Sequence, residues 1–231
     1  RGSLGDGAAD PPGAHRLVLV APYLPYMRQD KAFSEGEPVS QRVVSSLLDS
    51  AFDRIVTVDP HLHRTASLAS LFNRAECTAA QGGDALIPLL RSSPFANGLV
   101  VVGPDAESEQ WASHVAEGLG LRYDVLAKER RGDRDVVLSV PDGLDVRGAS
   151  VLLVDDICSS GATLAAAIST LKAAGAGAVG VFVTHGLWNT AAIEILRAAG
   201  AEWIAASDSC NHPAEEVRLA RVLAATLKNE L

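Results

Sequence analysis

Short apolar runs alternate with amphipathic stretches along nearly the whole chain. Leu17–Ala21, Arg54–Val58, Leu99–Val102, Val151–Val154, Ala178–Val183 and Trp203–Ala206 are almost continuously apolar, the pattern of strands buried on both faces. Pro38–Ala51, Leu86–Leu90, Ser108–Leu119, Thr163–Ala174, Thr190–Ala199 and Ala214–Leu227 place apolar residues at helical spacing. Gly120, Gly175 and Gly200 stand just past three of these segments, where a left-handed residue ends a helix. Strand alternating with helix predicts an α/β fold, a mostly parallel sheet with helices on both faces. A composition shift near Gln81–Gly83 divides the chain into a partial first domain of the same type, 15–80, and a C-terminal domain, 81–231. Residues 1–14 are rich in Gly, Pro and Asp and are expected to be a disordered tail or an expression remnant.

Composition narrows the picture without changing it. The chain has 231 residues, enough for one large or two small domains with a core, and 48% are apolar against 21% charged. A formal charge of −8 argues against nonspecific nucleic-acid binding, which needs a net basic face. Three scattered cysteines form neither a disulfide framework nor a metal-ligand pair, and read as reduced residues of a cytoplasmic protein. No apolar run is long enough to span a bilayer, so no membrane partner is expected.

Ligands of open parallel sheets sit beyond the carboxyl ends of the strands. Polar clusters follow the apolar runs there: PYLPYMRQD, DPHLHR, GPDAESEQW, DDICSSGAT, THG and SDSCNHP. The fourth is the most informative. In VLLVDDICSSGATL, residues 151–164, an apolar strand ends in Asp155 and Asp156, and Ser159, Ser160, Gly161, Ala162 and Thr163 then turn into a helix. Gly161 allows close backbone approach, and the N–H groups of a helix start favour an anion. The acids would repel a bare phosphate, so they suit sugar hydroxyls or a metal-bound sugar. An N-capped helix with capping acids is the plainer alternative. The loop itself carries neither GK[ST] nor GxGxxG, which sets it apart from Walker and dinucleotide loops.

The motif resembles the phosphoribosyl-diphosphate-binding motif of the phosphoribosyltransferase superfamily. PYLPYMRQDKAF, VTVDPHLH, VVGPDAESEQWA, KERR and VTHGLW resemble, in order, motifs of the ribose-phosphate pyrophosphokinases, from about Ala14 to the C-terminus. The wording is similar to that of a divergent, synthetase-like bacterial branch. The resemblance implies a cytoplasmic, homo-oligomeric enzyme of nucleotide biosynthesis that transfers diphosphate from ATP to ribose 5-phosphate with Mg2+. It implies ATP contacts at Arg28, Gln29 and Asp30, and metal ligation at His61 and Asp105, with His63 as a second option. Lys128 and Arg130 match the K-x-R pair that stabilises the transferred diphosphate, and Arg131 and Arg134 belong to the same polar segment. Asp155, Asp156 and residues 159–163 match the ribose 5-phosphate contacts. Trp111 and Trp188 read as core or interface aromatics.

Three departures from the family pattern stand out. Family members carry a further N-terminal segment, which supplies an adenine-binding loop to a neighbouring subunit; a truncated form or a loss of that half is expected here. Glu107-Ser108 replace the usual Gly-Gly after PDA, and Ser159-Ser160-Gly161-Ala162 replace Asp-Thr-Gly-Gly. The alternatives are a phosphoribosyltransferase consuming phosphoribosyl diphosphate, or a catalytically weak homologue that binds nucleotide or sugar phosphate and regulates a partner.

Overall fold

The computed structural model describes residues 15–228 apart from 33, 97 and 131–135, so the tail at 1–14 and the residues Arg131 and Arg134 lie outside the described residues. The chain divides into two compact units, one running to Ala80 and resuming at Val222, the other Gln81–Arg221.

In the first unit, strand β1 (Val18–Val20), helix α1 (Ser40–Ala51), β2 (Arg54–Val58) and β3 (Glu76–Ala80) form a three-stranded parallel sheet with its helix. β2 is central, with Val18 opposite Arg54 and Arg54 opposite Glu76. The core of this unit gathers Leu24, Met27, Ile55, Leu68 and Phe72. Leu24 and Met27 come from the segment that follows β1, so that segment is anchored by burial.

A buried carboxylate closes the far end of the same unit. Asp49, near the end of α1, accepts backbone N–H bonds from Asn73 at 3.1 Å, Arg74 at 2.9 Å and Ala75 at 2.9 Å. Burial opposes its charge most strongly, but the Ala75, Arg74 and Asn73 amides and the Arg74 charge outweigh it and lower its pKa.

The second unit comprises α2 (Gly83–Arg91), β4 (Leu99–Gly103), α3 (Glu109–Leu119), β5 (Tyr123–Val125), β6 (Ala127–Arg130), β7 (Val136–Ser139), β8 (Ser150–Cys158), α4 (Ala162–Ala173), β9 (Val179–Gly186), α5 (Thr190–Ala198), β10 (Trp203–Ser207) and β11 (Glu215–Val217), with α6 (Ala220–Thr226) following. Six strands form a wholly parallel sheet in the order β11-β10-β9-β8-β4-β5. β6 and β7 pair antiparallel as a separate ribbon.

Side-chain alternation explains the layering. Val151 and Leu153 of β8 point into a cluster with Leu164, Ile168 and Leu171 of α4 and Leu196 of α5. Leu152 and Val154 point the other way, to Leu86 of α2 and Trp111 and Val115 of α3. A strand that is covered on both faces needs apolar residues at every position, and that is the pattern the sequence carries. Each such side chain contributes roughly 1.5–3 kcal/mol on burial.

Several element boundaries differ from the sequence expectation. β8 and β9 run on to Cys158 and Gly186, so Asp155 and Asp156 lie within a paired strand and not at its tip; Asp155 faces Val183 in the ladder. The segment expected as one helix over Ala214–Leu227 is split into β11 and α6. Its Glu215–Val217 stretch pairs with the exposed edge of β10, and that ladder outweighs the helical spacing of the side chains.

Candidate functional site

β8 sits at the centre of the second unit's sheet, and the loop at its carboxyl end carries the chain's clearest candidate chemistry among the described residues. Gly161 is the N-cap of α4 with φ 79° and ψ −5°, a left-handed conformation that glycine adopts without cost. A Cβ there would lie 3.3 Å from the Ala192 carbonyl oxygen of α5 and 3.5 Å from Leu196 Cδ2. The loop is therefore backed by α5, and a side chain at 161 would fit only tightly. The cap supplies no side-chain bond to the first turn of α4, which leaves its backbone donors for an anion. Ser160 Oγ reaches only the Ala162 amide, at 3.4 Å. Ser159, Ser160, Ala162 and Thr163 are exposed, while Gly161 is buried beneath them.

The acids stand immediately before this loop. The Asp155 carboxylate accepts from the Asp156 amide at 3.0 Å and is partly exposed, whereas Asp156 is buried. Burial pushes the Asp155 pKa well above the ordinary carboxylate value, and the negative charges of Asp156 and Asp105 push it the same way. Asp105 therefore belongs to the same electrostatic site, and topology explains why: it follows β4, the neighbour of β8. Its side chain caps the short helical turn Ala106–Ser108 by accepting from the Glu107 amide at 3.0 Å. Ser108 closes the turn, its Oγ donating to the Asp105 carbonyl at 2.6 Å. The Glu107-Ser108 substitution thus builds a capping box that orients Asp105.

The β6–β7 ribbon is tied to the same sheet edge. The Leu126 amide bonds the Gly103 carbonyl at the end of β4 at 2.9 Å, and β6 starts at the next residue. Lys128 is exposed on β6 opposite Leu138, and Arg130 pairs with Val136. The structure thus brings Asp105, Asp155, Asp156, residues 159–163 and the strand carrying Lys128 and Arg130 into one unit.

Arg28, Gln29, Asp30 and His61 belong to the other unit, on the loops that follow β1 and β2. Arg28 is exposed. The Asp30 side chain is buried and paired with Arg64 at 3.1 Å, an arrangement unforeseen from sequence. Asp30 thereby joins the RQD turn to the DPHLHR loop. His61 and His63 stand with ring centroids 6.4 Å apart. Among the described residues no group of three or more His, Cys, Asp or Glu could hold a metal ion.

Other conspicuous residues have structural tasks. Trp111 and Trp188 are buried in the core. The SDSC cluster closes on the backbone: Ser207 Oγ donates to Thr184 O at 2.5 Å, Ser209 Oγ donates to the same oxygen at 3.0 Å, and His185 Nδ1 lies 2.8 Å from Ser209 Oγ. These bonds clamp the ends of β9 and β10. No helix among the described residues is long and apolar enough to cross a membrane.

Comparison with known proteins places this geometry. Residues 86–194 match the phosphoribosyl transferase domain, and residues 7–51 match the N-terminal domain of ribose phosphate pyrophosphokinase. The chain is 36% identical over 222 residues to a ribose-phosphate pyrophosphokinase of Methanopyrus kandleri, covering 96% of this chain and 75% of that protein. It is 36% identical over 195 residues to one from Pyrococcus abyssi, covering 83% of this chain and 64% of that one. The crystal structure of phosphoribosylpyrophosphate synthetase from Mycobacterium smegmatis superimposes with a TM-score of 0.78 at 27% identity, over 94% of this chain and 72% of that one. The wholly parallel sheet, the glycine-capped loop after β8 and these matches agree: the chain belongs to the ribose-phosphate pyrophosphokinase family.

Proposed function

We propose that the protein is a ribose-phosphate diphosphokinase, which transfers diphosphate from ATP to the anomeric hydroxyl of ribose 5-phosphate and yields phosphoribosyl diphosphate and AMP. The observation that carries this reading is the loop after β8, where amide and hydroxyl donors are arranged for a phosphate and carboxylates stand just before them. A phosphate binds at 159–163, and the ribose hydroxyls face Asp155, the more accessible of the paired acids. Lys128 and Arg130 act on the transferred diphosphate, whose charge grows in the transition state. On the first unit, Arg28 and Gln29 are the proposed ATP contacts, with Asp30 holding their turn through Arg64.

A divalent cation fits the second unit's acids. The raised pKa of Asp155 reports excess negative potential from burial and from Asp156 and Asp105, and a cation would relieve it. Mg2+ binds through one or two carboxylates and keeps its remaining positions for water and phosphate oxygens, so a complete protein cage is not required. On the second unit Asp105 and Asp155 would hold it; on the first unit His61 is proposed, separately, as a ligand for an ion beside the ATP phosphates. When bound, the ion neutralises charge on the phosphates. Asp105 is held for this task by its capping box, and Asp155 by the Asp156 amide.

The test is direct. The protein is incubated with ATP, Mg2+ and ribose 5-phosphate, and AMP is measured. AMP formation that depends on ribose 5-phosphate is the expected result. Binding of ribose 5-phosphate without any AMP would sink the diphosphokinase reading, and release of pyrophosphate from phosphoribosyl diphosphate with a nucleobase would favour a transferase instead.

A further inference from the structure

Tyr26 is the bulky residue that this fold holds in an unfavourable backbone conformation. Its φ is 68°, in the left-handed region where an L side chain crowds the following carbonyl. Asp59, the other described non-glycine residue with positive φ, has a short polar side chain of the kind that tolerates this region; Tyr26 does not.

The strain is imposed by the surroundings. Leu24 and Met27 on either side are buried in the core of the first unit, 3% and 2% exposed. The buried Gln41 of α1 donates from Nε2 to the Met27 carbonyl at 3.1 Å. The Gln41 amide bonds the Gln29 carbonyl at 3.2 Å, and the Gln29 amide bonds the Tyr26 carbonyl at 3.1 Å. Gln41 is itself fixed by Thr65, whose Oγ1 donates to its Oε1 at 3.0 Å. The turn is thus set from both sides, and position 26 must take whatever conformation remains.

The Tyr26 side chain gains almost nothing for folding in return, because the residue is 58% exposed. A glycine at this position would satisfy the same hydrogen bonds without strain. An exposed aromatic side chain kept at a strained position, at the carboxyl end of a parallel strand and two residues from the exposed guanidinium of Arg28, has the make-up of a contact for a flat ring that carries phosphates.

We infer that Tyr26 contacts the base of the nucleotide donor and contributes to nucleotide affinity. The inference rests on the ATP-dependent reading above and adds to it a residue that holds the base. The strain is the folding cost of presenting that ring.

Titration calorimetry of the full chain with ATP and with inorganic tripolyphosphate tests this, using Tyr26→Gly, Tyr26→Ala and Tyr26→Phe. Stacking of a base on an aromatic ring predicts that Tyr26→Gly weakens ATP binding roughly tenfold and leaves tripolyphosphate binding unchanged. Tyr26→Phe retains ATP affinity within about twofold. In thermal unfolding, Tyr26→Gly melts about 2 °C or more above Tyr26→Ala, because only glycine relieves the strain. Unchanged ATP affinity in Tyr26→Gly, or equal losses for ATP and tripolyphosphate, would overturn the inference while leaving the ATP-dependent reading in place. If the parent chain takes up neither ligand, that reading falls and the Tyr26 contact falls with it.

Discussion

Replacing Gly161 by alanine tests the phosphate loop at its most constrained point. At φ 79° an alanine carries the left-handed penalty of roughly 1–2 kcal/mol. Its Cβ would also meet the Ala192 carbonyl oxygen at 3.3 Å, closer than comfortable contact, and a helix carbonyl cannot swing aside as a flexible side chain would. Adding about 0.5–1 kcal/mol for that contact gives a loss near 2 kcal/mol. For a unit of this size, that lowers the thermal midpoint by about 4–8 °C. The chain can relieve part of this by shifting the loop away from α5, and any such shift displaces the amides at the start of α4. Losing one hydrogen bond to a charged phosphate costs about 1.5–3 kcal/mol, which predicts roughly 10- to 100-fold weaker binding of ribose 5-phosphate. Calorimetric titration and thermal unfolding of the parent and Gly161→Ala proteins measure both quantities. A normal midpoint would refute the left-handed geometry. A lowered midpoint with unchanged ribose 5-phosphate affinity would refute the assignment of the phosphate to this loop.

Three further substitutions probe other parts of the structure. Lys128→Ala is expected to lower kcat for AMP formation roughly 100- to 1000-fold with a much smaller change in KM, because the cation acts chiefly in the transition state; an equal rise in KM with kcat intact would remove Lys128 from that role. Asp155→Asn is expected to raise the thermal midpoint of the ligand-free protein at neutral pH while weakening ribose 5-phosphate binding about 10-fold or more. The pKa of Asp155 is raised in the folded state, so its penalty is absent below the ordinary carboxylate value of 3.8 and grows as pH rises toward the folded pKa. The midpoint difference between Asp155→Asn and parent should therefore widen from pH 4 upward, and a difference independent of pH would contradict the assignment. Asp49→Asn is expected to destabilise the first unit by about 2–4 kcal/mol in urea unfolding, since three backbone amides lose their shared carboxylate. The folded pKa of Asp49 is lowered, so its contribution is present above 3.8 and disappears as pH falls through the folded value; a variant equally destabilised far below that range would disprove the mechanism.

How much was legible beforehand depended on what kind of signal each element carries. The strands buried on both faces were readable because every position must be apolar, as in β4, β8 and β9. β3, β5 and β11 are short edge strands that include polar residues, such as Glu76, Asp124 and Glu215, and only the neighbouring strand reveals them. The β6–β7 ribbon reads as a charged loop, AKER, until its antiparallel pairing is seen. In the site, the loop after β8 was visible because its residues are consecutive. The Asp30–Arg64 pair was not, since it joins positions 34 apart through the parallel sheet. Nor was the strain at Tyr26, which depends on Gln41 and Thr65 holding the turn from outside.

The charge of the chain shows why the site is built this way. With a formal charge of −8, the chain's long-range field gives no help to the proposed binding of a phosphorylated sugar. On the proposed reading, the sugar's own phosphate is held by groups that act only at contact: the oriented amides at the start of α4 and the hydroxyls of Ser159, Ser160 and Thr163. A cluster of lysines would hold any phosphate. Neutral donors placed directly after two carboxylates suit a molecule that is anionic at one end and rich in hydroxyls beside it. On that reading the acids would contribute selectivity at the expense of affinity, and the pKa of Asp155, raised by burial and by Asp156 and Asp105, fits such an exchange. Placing them inside β8, where the ladder to β9 fixes their backbone, keeps them from collapsing onto the phosphate donors that would otherwise neutralise them.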